Sequence, residues 1–212
     1  TGLDRPGTGW ERMEAERMLQ TDLYSNQEDM ARPLDGNTSA VDVDISFAIY
    51  NLLEVDEKIG VLQLAIWLRM AWDDPTLYWE PAEYGGITAT VVDPERIWTP
   101  DFVLYNSVAS GEDAGNLMLP TEPYLYYMGD GVPPKVFWSR PAVVTFSCHA
   151  GNGAKDNTFP TSDKLAETLG GRMWPRNMDL TMFPFDTQRC SMLWGSWRDS
   201  AFRVRYHLMV PG

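Results

Sequence analysis

The sequence predicts an all-β domain, a sandwich or a barrel, behind a single N-terminal helix. Three observations carry that expectation. The stretch from about Trp10 to Tyr24 lacks Gly and Pro and is rich in Glu, Met, Arg and Leu, all good helix formers. From Val41 onward the apolar period falls to two, the spacing of a half-buried strand. Turn residues then recur between short β-rich runs, at Asp56-Glu57, Asp73-Asp74-Pro75, Gly85-Gly86, Asp93-Pro94 and Gly129-Asp130-Gly131.

Residues 1–9, with Gly2, Pro6, Gly7 and Gly9, read as an irregular lead-in. In the helix that follows, Met18, Leu19 and Leu23 fall at helical spacing and form its apolar face. Val41, Val43, Ile45, Phe47 and Ile49 then alternate with Asp42, Asp44, Ser46, Ala48 and Tyr50 as a first strand. In the next strand Leu62, Leu64, Ile66, Leu68, Met70 and Trp72 share a core face, while Gln63, Ala65, Trp67, Arg69 and Ala71 share the opposite one. Trp67 therefore stands off the core, where either another chain or loop covers it or it walls a ligand pocket. Phe202, Val204 and Tyr206 alternate as a last strand. Residues 149–176 break the rhythm: polar and glycine-rich, with one short helical stretch at 164–169, they read as a long surface excursion. No repeat and no linker divides the chain, so residues 10–212 form one domain.

Composition narrows the function. The 212 residues hold 17 Lys+Arg against 30 Asp+Glu, a formal net charge of −13, and 44% are hydrophobic. A chain of this size buries a core of its own without metal or a dense disulfide framework. Its acidity argues against a nucleic-acid partner, which is bound by neutralising phosphates with Lys and Arg. The longest apolar stretch, Val61 to Trp72, contains Gln63 and Arg69 and falls short of the ~20 residues of a membrane-spanning helix. The numbering opens at Thr1 without a basic region followed by an apolar one, so any signal peptide is expected to be already absent. Cys148 and Cys190 are the only cysteines, and with His149 and His207 they make neither a disulfide scaffold nor a metal-ligand set. One disulfide and two thiols are equally open on that count. No spacing suggests a catalytic triad, paired acid–base carboxylates or a phosphate-cradling loop, so no enzyme and no cofactor are expected. Asn37-Thr38-Ser39 is an acceptor triplet for N-glycosylation, a weak sign of secretion.

Several motifs appear together and in order. Leu53-Glu54-Val55-Asp56-Glu57-Lys58 precedes Ile66-Trp67-Leu68, with Trp72 and Trp79 beyond. Trp98-Thr99-Pro100-Asp101 is followed by Leu104-Tyr105-Asn106-Ser107. Phe183-Pro184-Phe185-Asp186-Thr187-Gln188-Arg189-Cys190 comes next, and Gly195-Ser196-Trp197 last. From about residue 12 to 206 the chain resembles the ligand-binding domain of Cys-loop, pentameric ligand-gated ion channels. The likeness is nearest the nicotinic acetylcholine receptors and the related soluble acetylcholine-binding proteins.

The resemblance implies an N-terminal helix followed by a twisted, immunoglobulin-like β-sandwich, assembled as a homo- or hetero-pentamer. It implies a small cationic ligand held between subunits in an aromatic box. Tyr105 and Trp197 would serve the principal face and Trp67 the complementary one, through cation–π attraction. Trp72, Trp79 and Trp98 are left to the core. Phe183, Pro184, Phe185 and Asp186 would form the signature loop, closed by a Cys148–Cys190 disulfide. Forty-one residues separate those cysteines, against thirteen in the animal members, so the 28 residues 149–176 read as an insertion in a loop that in receptors faces the membrane.

After Tyr206 the family's last two strands, its capping loop and its membrane helices do not follow before Gly212. The fold is therefore expected to lack those two strands here, with a transmembrane domain beyond the C-terminus of this chain. The implied location is the extracellular face of the plasma membrane. The alternatives are a secreted acetylcholine-binding-protein-like pentamer, and an extracellular structural module that keeps the fold around a vestigial pocket.

Overall fold

The computed structural model describes residues 9–25, 31–34, 36, 39–108, 117–148, 185 and 190–209. Most of the lead-in, Asn37, the segment 149–176 and, of the signature-loop residues, Phe183, Pro184 and Asp186 lie outside the described residues.

Helix α1 spans Gly9–Ser25, one residue longer at each end than its composition suggests. Only Leu19 and Leu23, one turn apart, are buried, whereas Met18 is exposed. The apolar stripe is narrower than three leucine-like residues implied, because polar bonds share in holding the helix. Gln20 donates to the Val91 carbonyl at 3.2 Å. The Tyr24 hydroxyl accepts from the Asp93 amide at 2.7 Å, while the Arg96 guanidinium lies 3.9 Å from the Tyr24 ring centroid.

Two long strands follow, β1 (Val41–Asp56) and β2 (Val61–Asp73), paired antiparallel. Asp56 Oδ1 closes the turn between them by accepting from the amides of Lys58 and Ile59. Gly60, at φ 65°, supplies the left-handed residue that returns the chain. The remaining strands are β3 (Ala89–Val91), β4 (Phe102–Leu104), β5 (Leu117–Met118), β6 (Tyr124–Tyr126), β7 (Lys135–Ser147), β8 (Trp194–Ser196) and β9 (Val204–Leu208). Six of the nine strands run in the order β3-β6-β7-β2-β1-β9, with β5 also on β7, as a seven-stranded sheet. Strands β4 and β8 form a second sheet of two. Phe47 of the large sheet meets Trp194 of the small one at 5.3 Å, and Phe102 lies 4.7 Å from Tyr206, so aromatic side chains weld the two layers.

The alternation in β1 holds through Val41, Val43 and Ile45, all buried, and then fails: Ile49 is exposed. Ile49 still pairs with buried Ile66, so it keeps the core-side face but lies where the strand is no longer covered; beyond it, register shifts between Ile49 and Asn51, and again between Leu52 and Glu54, break the two-residue count. In β2 Leu64, Ile66, Leu68, Met70 and Trp72 are buried and Trp67 is exposed as expected, whereas Leu62 is only partly buried and the small Ala65 and Ala71 of the outward face are buried as well. Trp72, Trp79 and Trp98 are core residues, the first and third meeting edge to face at 5.8 Å. The last strand begins at Val204 rather than Phe202, which sits exposed in a preceding turn. That strand pairs parallel to β1, from Val41↔Val204 to Ile45↔Leu208. A bidentate Arg205–Asp42 pair at 2.7 and 2.8 Å anchors it, and His207 Nε2 adds a contact at 2.7 Å to the same carboxylate. Among the described residues no helix is long and apolar enough to cross a membrane.

Candidate functional site

Two aromatic patches carry the three ring residues singled out by sequence. The first lies at the end of the small sheet, where β4 runs into Tyr105 and β8 into Trp197. The Tyr105 amide donates to the Leu193 carbonyl at 2.7 Å, and its hydroxyl donates to the carbonyl of Ser196. Its ring lies close against Gly195. A Cβ at that position would fall 2.7 Å from Tyr105 Cε2 and 2.8 Å from its hydroxyl, so only glycine admits this approach. Burial first, and then the nearby Asp101 charge, push the Tyr105 hydroxyl above its ordinary pKa. It therefore stays protonated and keeps its role as donor.

Asp101 shapes the next residues. One of its carboxylate oxygens accepts from the Ser196 hydroxyl and the other from the Arg198 amide. The Ser196 hydroxyl in turn accepts from the Asp199 amide at 2.9 Å, and Asp199, with its side chain buried, pairs with Arg203 at 3.1 Å. This chain of bonds fixes the backbone on both sides of Trp197 and leaves its indole 80% exposed. Charge-assisted bonds to backbone amides are among the stronger local constraints available.

Trp67 makes the second patch. It stands 44% exposed on the outward face of β2, with Ala48 of β1 and Pro141 of β7 as its cross-strand neighbours. Tyr50 approaches its ring edge-on at 6.1 Å and the Arg69 guanidinium lies 5.4 Å from its centroid. The structure thus brings Tyr105 beside the backbone that carries Trp197. It sets Trp67 apart from both, on the other sheet and without a ring contact to either.

At the base of the domain a disulfide joins Cys148 to Cys190, with Cα atoms 4.8 Å apart. Asn106 ties the same two stretches of chain, the end of β7 and the residues leading into β8. Its amide donates to the carbonyls of Ser147 and Ser191, each at 2.9 Å, and its side-chain oxygen accepts from the Leu193 amide at 2.9 Å. Phe185 of the signature loop is exposed. Among the described residues no group of three or more His, Cys, Asp or Glu is placed to hold a metal ion.

Sequence reasoning missed the parts played by Tyr50, Asn106 and Arg69. Only Arg69 left a signal, since the two-residue period already put it on the face of Trp67. Asp101 entered only as the last residue of the Trp98-Thr99-Pro100-Asp101 motif, and its two carboxylate bonds show what it holds.

The family model described as neurotransmitter-gated ion-channel ligand binding domain matches residues 16–153, from α1 through the first cysteine. Trp67 and Tyr105 fall inside that span; Cys190 and Trp197 lie beyond it. Among individual proteins, acetylcholine receptor subunit alpha-like 2 of Drosophila melanogaster is 34% identical over 181 residues, covering 85% of this chain and 25% of the fly protein. Neuronal acetylcholine receptor subunit alpha-2 of Mus musculus is 34% identical over 183 residues, covering 86% of this chain and 29% of the mouse protein. Neuronal acetylcholine receptor subunit beta-3 of Gallus gallus is also 34% identical, over 185 residues, with 87% and 33% covered. The chain thus spans a quarter to a third of the length of these relatives.

Proposed function

Because the chain belongs to the neurotransmitter-gated ion-channel ligand-binding domain family, whose members are not enzymes, we propose that it binds a small cationic amine between neighbouring subunits of a pentameric, nicotinic-like channel. In the family this domain is extracellular, at the plasma membrane. Here it occupies that position, and a transmembrane domain outside these residues supplies the pore. Tyr105 and Trp197 of one subunit face Trp67 of the next. Each offers an electron-rich ring face that replaces part of the water around an ammonium group, at about 0.5–2 kcal/mol per contact. The acidic surface raises the local concentration of such a cation.

One observation supports this reading: Trp67 is exposed on a different sheet from the strands that lead into Tyr105 and Trp197 and has no ring contact with either, as expected if the three rings meet across a subunit interface. Mixing variants tests it. Assemblies made only of Trp67→Ala chains, or only of Trp197→Ala chains, should lose acetylcholine binding by calorimetry. Co-assembled mixtures should regain part of it, because some interfaces then pair an intact Trp197 with an intact Trp67. Mixtures as inactive as the single variants would place the site within one chain and overturn the proposal.

A further inference from the structure

Arg140 lies on β7 between Ser139 and Pro141, which stand opposite Arg69 and Trp67 in the β2–β7 ladder. Alternation turns Arg140 to the other face of the sheet, the one that carries buried Trp138 and Ala142, with buried Leu68 as its cross-strand neighbour on β2. Its guanidinium lies 4.2 Å from the Trp138 ring centroid. The chain beyond β5 runs along the opposite edge of β7. There the Leu119 amide donates to the Pro141 carbonyl at 3.0 Å and the Thr121 hydroxyl to the Ser139 carbonyl at 3.2 Å. Between them stands Pro120, which has no polar side chain. Thr121 is itself engaged by Trp138, whose indole donates to its carbonyl at 2.9 Å and its hydroxyl at 3.1 Å.

A cation thus sits in an apolar setting. Arg140 Nε is buried and has no hydrogen-bond partner. The other side chains left with such an atom among the described residues, Trp72, Trp194 and Tyr206, are neutral. Ring contact does not distinguish Arg140, since Arg69 and Arg96 also lie over rings; the buried, unpaired nitrogen does. Lys135, Arg198, Arg203 and Arg205 all pair with aspartates, whereas among the described residues Arg140 makes no ion pair. Burial pulls its guanidinium below the ordinary arginine pKa, yet the group keeps its charge at physiological pH. Burying a charge without a partner is costly, and a chain with 30 acidic residues does not lack carboxylates that could have supplied one.

We propose that Arg140 anchors a binding site for a small monocarboxylate, on the far face of β7 from Trp67. The two oxygens of a carboxylate match the Nε–H and a terminal N–H of the guanidinium fork together. Arg140 is only part buried, which gives a small solute a way in. Trp138, Leu68 and Ala142 suit a ligand that is apolar apart from its carboxylate. One guanidinium neutralises one charge, and the net charge of −13 opposes an anion that carries more.

Nitrogen-15 NMR of the assembled protein tests this, with sodium acetate titrated against sodium chloride at equal ionic strength. The Arg140 Nε–Hε resonance, assigned by its absence from Arg140→Gln, should move saturably with acetate and stay in place with chloride. Thermal unfolding in the same two salts gives the second readout, because a ligand bound only by the folded state raises the unfolding temperature. The acetate concentration needed for a given rise over chloride should be about 10- to 100-fold higher in Arg140→Gln, the range that a hydrogen bond between charged groups spans. A resonance that ignores acetate overturns the proposal, and so does equal stabilisation of the two proteins. Should Arg140→Gln not fold, Arg140→Lys supplies the assignment and the wild-type titration decides.

Discussion

The two aromatic patches of this domain are placed by opposite means. Trp67 owes its position to repetition: thirteen residues of β2, flanked on both sides by long antiparallel partners, leave every odd position facing outward. Tyr105 and Trp197 sit at the ends of three-residue strands in a sheet of two. A few polar bonds around Asp101 and one glycine hold them. The first patch draws on a ladder in which no single residue is decisive. The second hangs on single atoms, and substitutions there should have effects out of proportion to the area they touch.

The largest contrast lies between adjacent residues of β2. Ile66→Ala opens a cavity in the core and should cost about 2–5 kcal/mol in urea unfolding. Trp67→Ala, on the exposed face, should cost within about 1 kcal/mol despite removing the larger side chain. Equal losses would mean that Trp67 belongs to the core of the isolated domain, and the distinction between patches would collapse.

Asp101→Ala removes the acceptor for both the Ser196 hydroxyl and the Arg198 amide. It should lower stability by about 1.5–3 kcal/mol, with a change in near-ultraviolet circular dichroism from the aromatic residues beside it. An unchanged aromatic spectrum would show that Trp197 is held by something other than this carboxylate. Gly195→Ala acts more locally. The added methyl must displace the part-exposed Tyr105 ring and loosen its hydroxyl bond to the Ser196 carbonyl, so stability should fall by only about 1 kcal/mol. The Tyr105 ring resonances, followed by NMR, should nevertheless move. Unmoved resonances would show that the backbone of β8 yields instead.

The smallest effect is one of acidity. Hydrogen bonds from Arg205, and then from His207, hold the Asp42 carboxyl below its ordinary pKa. A carboxyl depressed in the folded state stabilises the fold above its ordinary value, and that contribution fades as the pH falls through the folded value. Asp42→Asn should therefore flatten the acid limb of a stability–pH curve. The change should stay below about 1 kcal/mol, because the carboxylate and both partners are half exposed. An identical acid limb in the variant would show that the pairing on β9 contributes nothing in solution.

Legibility followed the same division. The faces of β2 were readable because a long straight strand keeps its period, and the core roles of Trp72, Trp79 and Trp98 were readable from their bulk. The exposure of Ile49 was not, because it keeps its place in the alternation, opposite buried Ile66, and only the packing of distant segments decides how far along the strand that face is covered. The start of β9 was misplaced at Phe202 for a related reason. An alternating pattern continues into the turn before the strand, and the pairing of Val204 with Val41 marks where the ladder begins. Motif order was enough to indicate the family. It could not show that Asp101 grips Ser196 and Arg198, since nearly a hundred residues intervene.

By itself the sequence determined the local periods: where the chain is helical, which face of β2 is apolar, and that Trp67 and Arg69 share the other face. Covalent geometry alone enforces those relations, because side chains alternate along any extended strand. The tertiary structure decided what depends on distant segments meeting. It set the glycine beneath Tyr105, the carboxylate under Trp197 and the parallel seat of β9 on β1. It also put Trp67 and the Tyr105–Trp197 pair on separate sheets, a separation that only the packing of one layer against another can create.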